Sequence, residues 1–413
     1  MIKNLILSLS NKFSNVILKL IVTVLIARNL GPDGFGDYSL FLTVSASTTL
    51  IFLFGTHNFL LNRSKNIITI RKYNNIIRKY YFIIFILMFF ISFIAFGFFY
   101  NLINATILAL FFSVQYLFFV YQYQFMALNL YNKLVVYNVI FYLVLIICSA
   151  VFTPNNFIIY LLFYSAAGIT AIVSYSNILI PRNLKLSRMD LLLLRYQFRI
   201  SSKNFLIDIN SIIQQRLDFF ILYFFGGSYV AGIFAAVKNI SESILYIPKS
   251  IQPIIIQEKN DTQLYKLFKI INLVLVFIMI VGILFSQTIL TLVFGSNYED
   301  GNIILKITFI IIYIYSLTLI LSAEYIRQNI QSIALRKSVI TTIVMIIILL
   351  IASQFDHILL SISLGTLISY LVLLLLLFLS SYIPFNIFHI AIKDIKYYYR
   401  VLPNKFKQKN YKE

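Results

Sequence analysis

Three cations and three carboxylates stand inside long apolar runs of this chain, where charge is costly: Lys19, Arg216 and Lys238, with Asp208, Asp218 and Glu242. An ionisable group in hydrocarbon is expensive enough that it faces a bundle interior or a water-filled cavity. Lys19 and Arg216 fall near mid-depth of their segments, on the leading helices of two halves, and this points to a central site for an anionic ligand. Arg216 and Asp218 are two apart and do not share a helix face, so they do not cancel each other. Lys238 and Glu242 lie at i,i+4, and mutual neutralisation is an open alternative there. Lys12 and Lys203 sit close to one interface, where snorkelling and cavity lining are both open readings. The three carboxylates are the candidates for coupling to an ion.

Other chemistry finds little support. Cys148 is the single cysteine, so there is neither a disulfide framework nor a cysteine-based metal site. His57, His357 and His389 are scattered without metal spacing. Asp33, Asp37, Glu299 and Asp300 fall in turns, where capping is the expected role. No catalytic residue, metal or cofactor is expected, and the chain does not read as an enzyme. The G-x-x-x-x-G-K-[ST] phosphate loop is absent, which leaves an H+ or Na+ gradient as the energy source.

The elements that must position these groups are helices. Of 413 residues 60% are hydrophobic and 12% charged, about half the charge that soluble domains carry. Apolar stretches of about 20 residues, the length that crosses a bilayer core, recur throughout. Only helices or a closed barrel satisfy their backbone in lipid, and runs such as Leu371–Leu379, apolar at every position, are not barrel strands. Twelve spans are expected, near 5–27, 38–61, 80–100, 105–125, 134–152, 157–180, 203–225, 230–252, 268–294, 303–324, 338–354 and 358–383. The first carries Ser8, Asn11, Lys12, Asn15 and Lys19 on one stripe; the seventh carries Asn204, Asp208, Ser211, Gln215 and Asp218. Pro248 and Pro253 read as terminators of the eighth span. Met1–Ala27 is too long an apolar unit for a removable signal peptide.

The net charge of +20 reads as topology and not as a nucleic-acid surface. Lys and Arg crowd the loops on one side, for example at Arg71, Lys72, Arg78 and Lys79 and again at Arg182, Lys185 and Arg188. The opposite side holds only Arg28 and Lys306. By the positive-inside bias both termini are cytoplasmic. The loop near Pro181–Arg199 divides the chain into an N-terminal lobe over 1–181, a linker over 182–199 and a C-terminal lobe over 200–384. A basic amphipathic tail over 385–413 places Phe388, Ile392, Ile395, Tyr399 and Leu402 on one face against the anionic leaflet. A glycine turn closes the first helix of each half, at Gly31 and at Gly226.

Ala27-Arg28-Asn29-Leu30-Gly31-Pro32-Asp33-Gly34-Phe35-Gly36-Asp37-Tyr38 resembles the end of the first helix in polysaccharide-exporting flippases. Arg216-Leu217-Asp218, Val230 to Ala236, Ser241-Glu242 to Pro248, and Val293 to Tyr298 extend the likeness over most of the chain. It is similar to the Wzx-type O-antigen flippases of the multidrug/oligosaccharidyl-lipid/polysaccharide exporter superfamily. The resemblance implies an all-α, two-lobe fold like that of multidrug and toxin extruders, in the bacterial cytoplasmic membrane. The implied activity is outward movement of undecaprenyl-pyrophosphate-linked oligosaccharide by alternating access. The implied partners are that substrate, membrane lipids and other polysaccharide-assembly proteins. Lys19, Arg216 and Lys238, with Lys12, Lys203 and Arg28, would meet pyrophosphate and sugar; for Arg28 a structural tie between helix and loop stands equally. Two further helices of the superfamily's lipid II flippases are missing. The alternatives are a drug/ion antiporter of the same superfamily and a membrane-embedded polysaccharide polymerase or ligase.

Reporters fused after Lys72 and Arg188 should read cytoplasmic, and those after Pro154 and Glu299 periplasmic. A cytoplasmic signal at either of the last two breaks the twelve-span reading there.

Overall fold

A residue without a Cβ turns the backbone left-handed at no steric cost, and two glycines in this chain use that freedom to break two very long helices. The computed structural model describes residues 2–56, 67–128, 130–175, 187–257, 261–327 and 331–378. Helix α1 (Ile2–Leu53) breaks at Gly31, with φ 67°, and helix α6 (Arg188–Gln257) breaks at Gly227, with φ 83°. Pro32 follows the first break, where its missing N–H falls on a first-turn donor that a helix leaves unpaired in any case. Each long helix thus supplies two spans, the first and second in α1 and the seventh and eighth in α6. The second break lies at Gly227; Gly226 carries no such left-handed turn.

Between them run α2 (Ile67–Gly97), α3 (Leu102–Ala127), α4 (Tyr131–Val151) and α5 (Phe157–Ser174). After α6 come α7 (Asp261–Leu284), α8 (Ser286–Phe294), a 3-10 turn (Ser296–Gly301), α9 (Asn302–Arg327), α10 (Gln331–Ala352) and α11 (Ile358–Phe378). Among the described residues all regular structure is helical. Helices α2 to α5 pack on one another and on α1, whereas α7 and α9 to α11 form a second group around α6. The groups meet mainly where α1 runs against α6. Outward faces are apolar: on α7, Leu273, Phe277, Ile280 and Leu284 are exposed at helical spacing, as expected of a surface wetted by lipid.

Several sequence expectations shift. The expected ninth span is α7 plus α8, bent by 75° at Phe285. Helix α6 runs through Pro248 to Gln257, so that proline is no terminator. From Arg188 the expected linker is helical. Ser187 caps it: its Oγ accepts from the Asp190 N–H at 3.1 Å, and Asp190 Oδ2 accepts from the Ser187 N–H at 3.0 Å. Ser187-Arg188-Met189-Asp190 carried that capping signal. The Ser187 backbone holds the Asp190 carboxyl below its ordinary range. Its contribution is therefore full above about pH 4 and fades only as pH falls through the lowered value. Lys79 of α2 pairs with the same carboxylate at 3.5 Å. Glu324 is buried and paired with Arg327 at 2.6 Å. The tail over 385–413 lies outside the described residues, as do the side chains of Lys12 and Lys203.

Just past the breaks the two long helices touch backbone to backbone. A Cβ on Gly36 would overlap the Ser228 carbonyl, and a Cβ on Gly232 would overlap the Pro32 carbonyl. Side chains reinforce the contact: Tyr223 Oη donates to Asp37 at 2.7 Å, and Ser228 Oγ donates to Asp33 at 3.2 Å. These aspartates bind across the interface and do not cap turns. Gly36→Ala or Gly232→Ala should lower the apparent melting temperature in detergent, by roughly the 1–3 kcal/mol that overpacking costs. Gly97→Ala, with nothing within 4 Å of the added methyl, should cost little by comparison.

Candidate functional site

Some 13–23 Å along the helices from the breaks, at 1.5 Å per residue, α1 and both halves of α6 bring their charges together. Glu242 is the centre. Its Oε2 accepts from Lys19 Nζ at 3.1 Å and its Oε1 from Arg216 Nη1 at 3.1 Å. Lys238, expected near Glu242 at i,i+4, pairs instead with Asp218 Oδ1 at 2.6 Å and donates to the Gln215 carbonyl at 2.5 Å. Its ammonium also stands 5.3 Å from the Phe234 ring centroid, a cation–π contact. Three cations thus face two carboxylates, and the cluster keeps one positive charge in excess.

The two pairings differ in setting. Lys238 and Asp218 expose 17% and 10% of their side chains, and Asp218 also accepts the Phe219 N–H at 2.8 Å. Lys19, Arg216 and Glu242 expose 41%, 29% and 25%. The buried pair ties one half of α6 to the other; the open triad faces space.

That space is a cavity of about 270 Å³. Lys19, Arg216, Lys238 and Glu242 form its charged side. The opposite wall comes from α3, α4 and α5 and presents Gln115, Gln122, Tyr142 and Tyr164. A second cavity of about 70 Å³ shares Lys238 and Glu242 and adds Asp218 and Lys249. Of the residues expected at a common site, Lys19, Arg216 and Lys238 therefore meet at one cavity, while Asp218 opens on its neighbour. Asp208 is among the lining of neither. Arg28 stands apart, donating to the Val293 carbonyl at 2.9 Å and to that of Leu292, which ties α1 to the end of α8. The wall of amides and phenols was missed from sequence. Gln115 and Gln122, seven apart in an apolar span and so on one face, were the available signal.

No family model matches the chain, and no curated protein matches it. Solved structures do. A lipid II flippase, MurJ, in an inward closed conformation shares 16% identity with a TM-score of 0.66, over 91% of this chain and 87% of that one. An inward-facing multidrug resistance MATE family transporter of the MOP superfamily gives 13% and 0.68, over 90% and 96%. An outward-facing structure with the same description gives 14% and 0.64, over 91% and 94%. The chain shares the fold of these transporters and is a multi-pass membrane protein, with nine described helices long and apolar enough to cross a bilayer, or ten counting the bent pair.

Removing one partner of a buried ion pair leaves the other charge uncompensated, at a cost of about 3–5 kcal/mol. Asp218→Asn should therefore lower the apparent melting temperature markedly. Asp218→Asn combined with Lys238→Met should recover part of the loss. A double variant no more stable than the single would show that the two groups are not coupled.

Proposed function

We propose that this chain is a flippase that carries undecaprenyl-pyrophosphate-linked oligosaccharide from the inner to the outer leaflet of the bacterial cytoplasmic membrane. The observation that carries the reading is the cationic excess at the cavity, with Lys19 and Arg216 on an accessible surface. In a setting of low dielectric such a cluster favours an anion, and a pyrophosphate esterified at both ends offers two negative charges. The wall of Gln115, Gln122, Tyr142 and Tyr164 supplies the hydrogen-bonding and ring surfaces that a sugar uses. On this reading the head group enters the cavity while the polyprenyl tail stays in the bilayer. The likeness in fold to a lipid II flippase supports the same reading.

Both termini lie in the cytoplasm on this reading, by the Lys/Arg asymmetry of the loops. The glycine contact at Gly36 and Gly232 then closes the outer face, and the substrate enters from inside. Alternating access requires that contact to part and an inner one to form. An H+ or Na+ gradient supplies the drive. Asp218 and Glu242 already hold cationic side chains, so an ion that couples through either must displace one of them. A drug/ion antiporter is disfavoured because a cationic drug would meet three cations at this cavity.

In cells that depend on this chain for surface polysaccharide, Lys19→Ala combined with Arg216→Ala should abolish most export. Lys19→Arg or Arg216→Lys should retain part of it, since the charge remains. Near-normal polysaccharide from the expressed double alanine variant would overturn the proposal.

A further inference from the structure

We propose that Glu242 is a displaceable counter-ion that selects a ligand with two linked phosphates over one with a single phosphate. The inference rests on the anionic-lipid reading of the cavity. The two oxygens of Glu242 hold different cations, Lys19 from α1 and Arg216 from α6, each at 3.1 Å. The carboxylate thus spans the line along which the two long helices face each other. Its setting differs from that of Asp218, which is nearly enclosed and pinned by the Phe219 N–H as well as by Lys238. Glu242 keeps a quarter of its side chain exposed, and Lys19 about two-fifths.

A carboxylate that bridges two cations at an open cavity stands where an anionic ligand would bind, so any such ligand must replace it. A phosphodiester has one negative charge. Exchanging Glu242 for it swaps one single charge for another, leaves the carboxylate without partners and gains little. A diphosphate esterified at both ends has two charges and can place one phosphate on Lys19 and the other on Arg216, with charge-assisted hydrogen bonds at both ends. The cost of displacing Glu242 is common to both ligands, but only the second ligand more than recovers it. Discrimination by a cost imposed on the competitor is a general route to specificity. Here it matters because bilayer phospholipids with a single phosphodiester surround the protein in large excess.

The test uses the full chain purified in detergent and two synthetic ligands with the same farnesyl chain and N-acetylglucosamine, joined through one phosphate or through two. The wild-type chain should bind the two-phosphate ligand at least about tenfold more tightly. Glu242→Gln, which keeps shape and loses charge, should tighten the one-phosphate ligand and bring the two affinities to within about threefold. Glu242→Asp keeps the charge but is too short to reach both cations, and its ratio should fall between; if the glutamine variant does not fold, the aspartate variant decides. An unchanged ratio overturns the proposal. If the wild-type chain binds neither ligand, or Lys19→Ala with Arg216→Ala leaves two-phosphate binding intact, the anionic-lipid reading itself falls, and this inference with it.

Discussion

Two backbone carbonyls, of Pro32 and Ser228, each rest against a glycine of the opposite long helix, and the rest of the arrangement follows from how close that contact is. Only glycine permits it, at Gly36 and at Gly232. With the helices pressed together just past their breaks, their preceding segments must diverge or run alongside. The side chains of Lys19, Arg216 and Lys238 consequently arrive at one level between the two helix groups. Tyr223 on Asp37, Ser228 on Asp33 and Arg28 on the end of α8 hold the same end shut. A close approach of small residues is how helices associate in lipid, where burial of apolar surface drives nothing.

Charge is the second constraint. Six ionisable side chains in apolar helices would be untenable if they faced hydrocarbon. Five of them resolve the problem in one cluster with two characters. Lys238 and Asp218 are enclosed, satisfied by a carbonyl, an amide and a ring, and act as structure. Lys19, Glu242 and Arg216 are linked end to end at an accessible wall and are available for exchange.

The twelve spans were legible because apolar runs of bilayer length have few other uses, and the cavity cations because charge at mid-depth has to be accounted for. What stayed hidden depends on packing between elements distant in sequence. Gly226 and Gly227 are equally permissive residues, and contact with α1 selects the second as the break. Lys238 and Glu242 are neighbours on an ideal helix, yet Asp218 offers Lys238 a partner that lies beside the Gln215 carbonyl, and Glu242 turns to two cations instead. The bend at Phe285 has no proline to announce it, and Gly282, three residues before it, is a weak signal on its own. Gln115 and Gln122 looked like ordinary polar interruptions until α3 was set opposite the charges.

The glycine contact also has a register. In each long helix the contact glycine falls five residues after the break glycine, Gly31 to Gly36 and Gly227 to Gly232, and the carbonyl that meets the other helix follows the break directly. Carrying this register from α1 to α6 sets Leu42 against Lys238 and Ala46 against Glu242. The two halves are alike in backbone and unlike in chemistry. Ions belong to α6 and to one lysine of α1, while the facing wall of Gln115, Gln122, Tyr142 and Tyr164 belongs to α3, α4 and α5. A replacement of Gln122 or Tyr142 therefore alters the cavity wall without touching the ion cluster or the glycine contact. The molecule is modular in this sense: one wall can change while the cluster that holds charge, and the joint between the halves, keep their form.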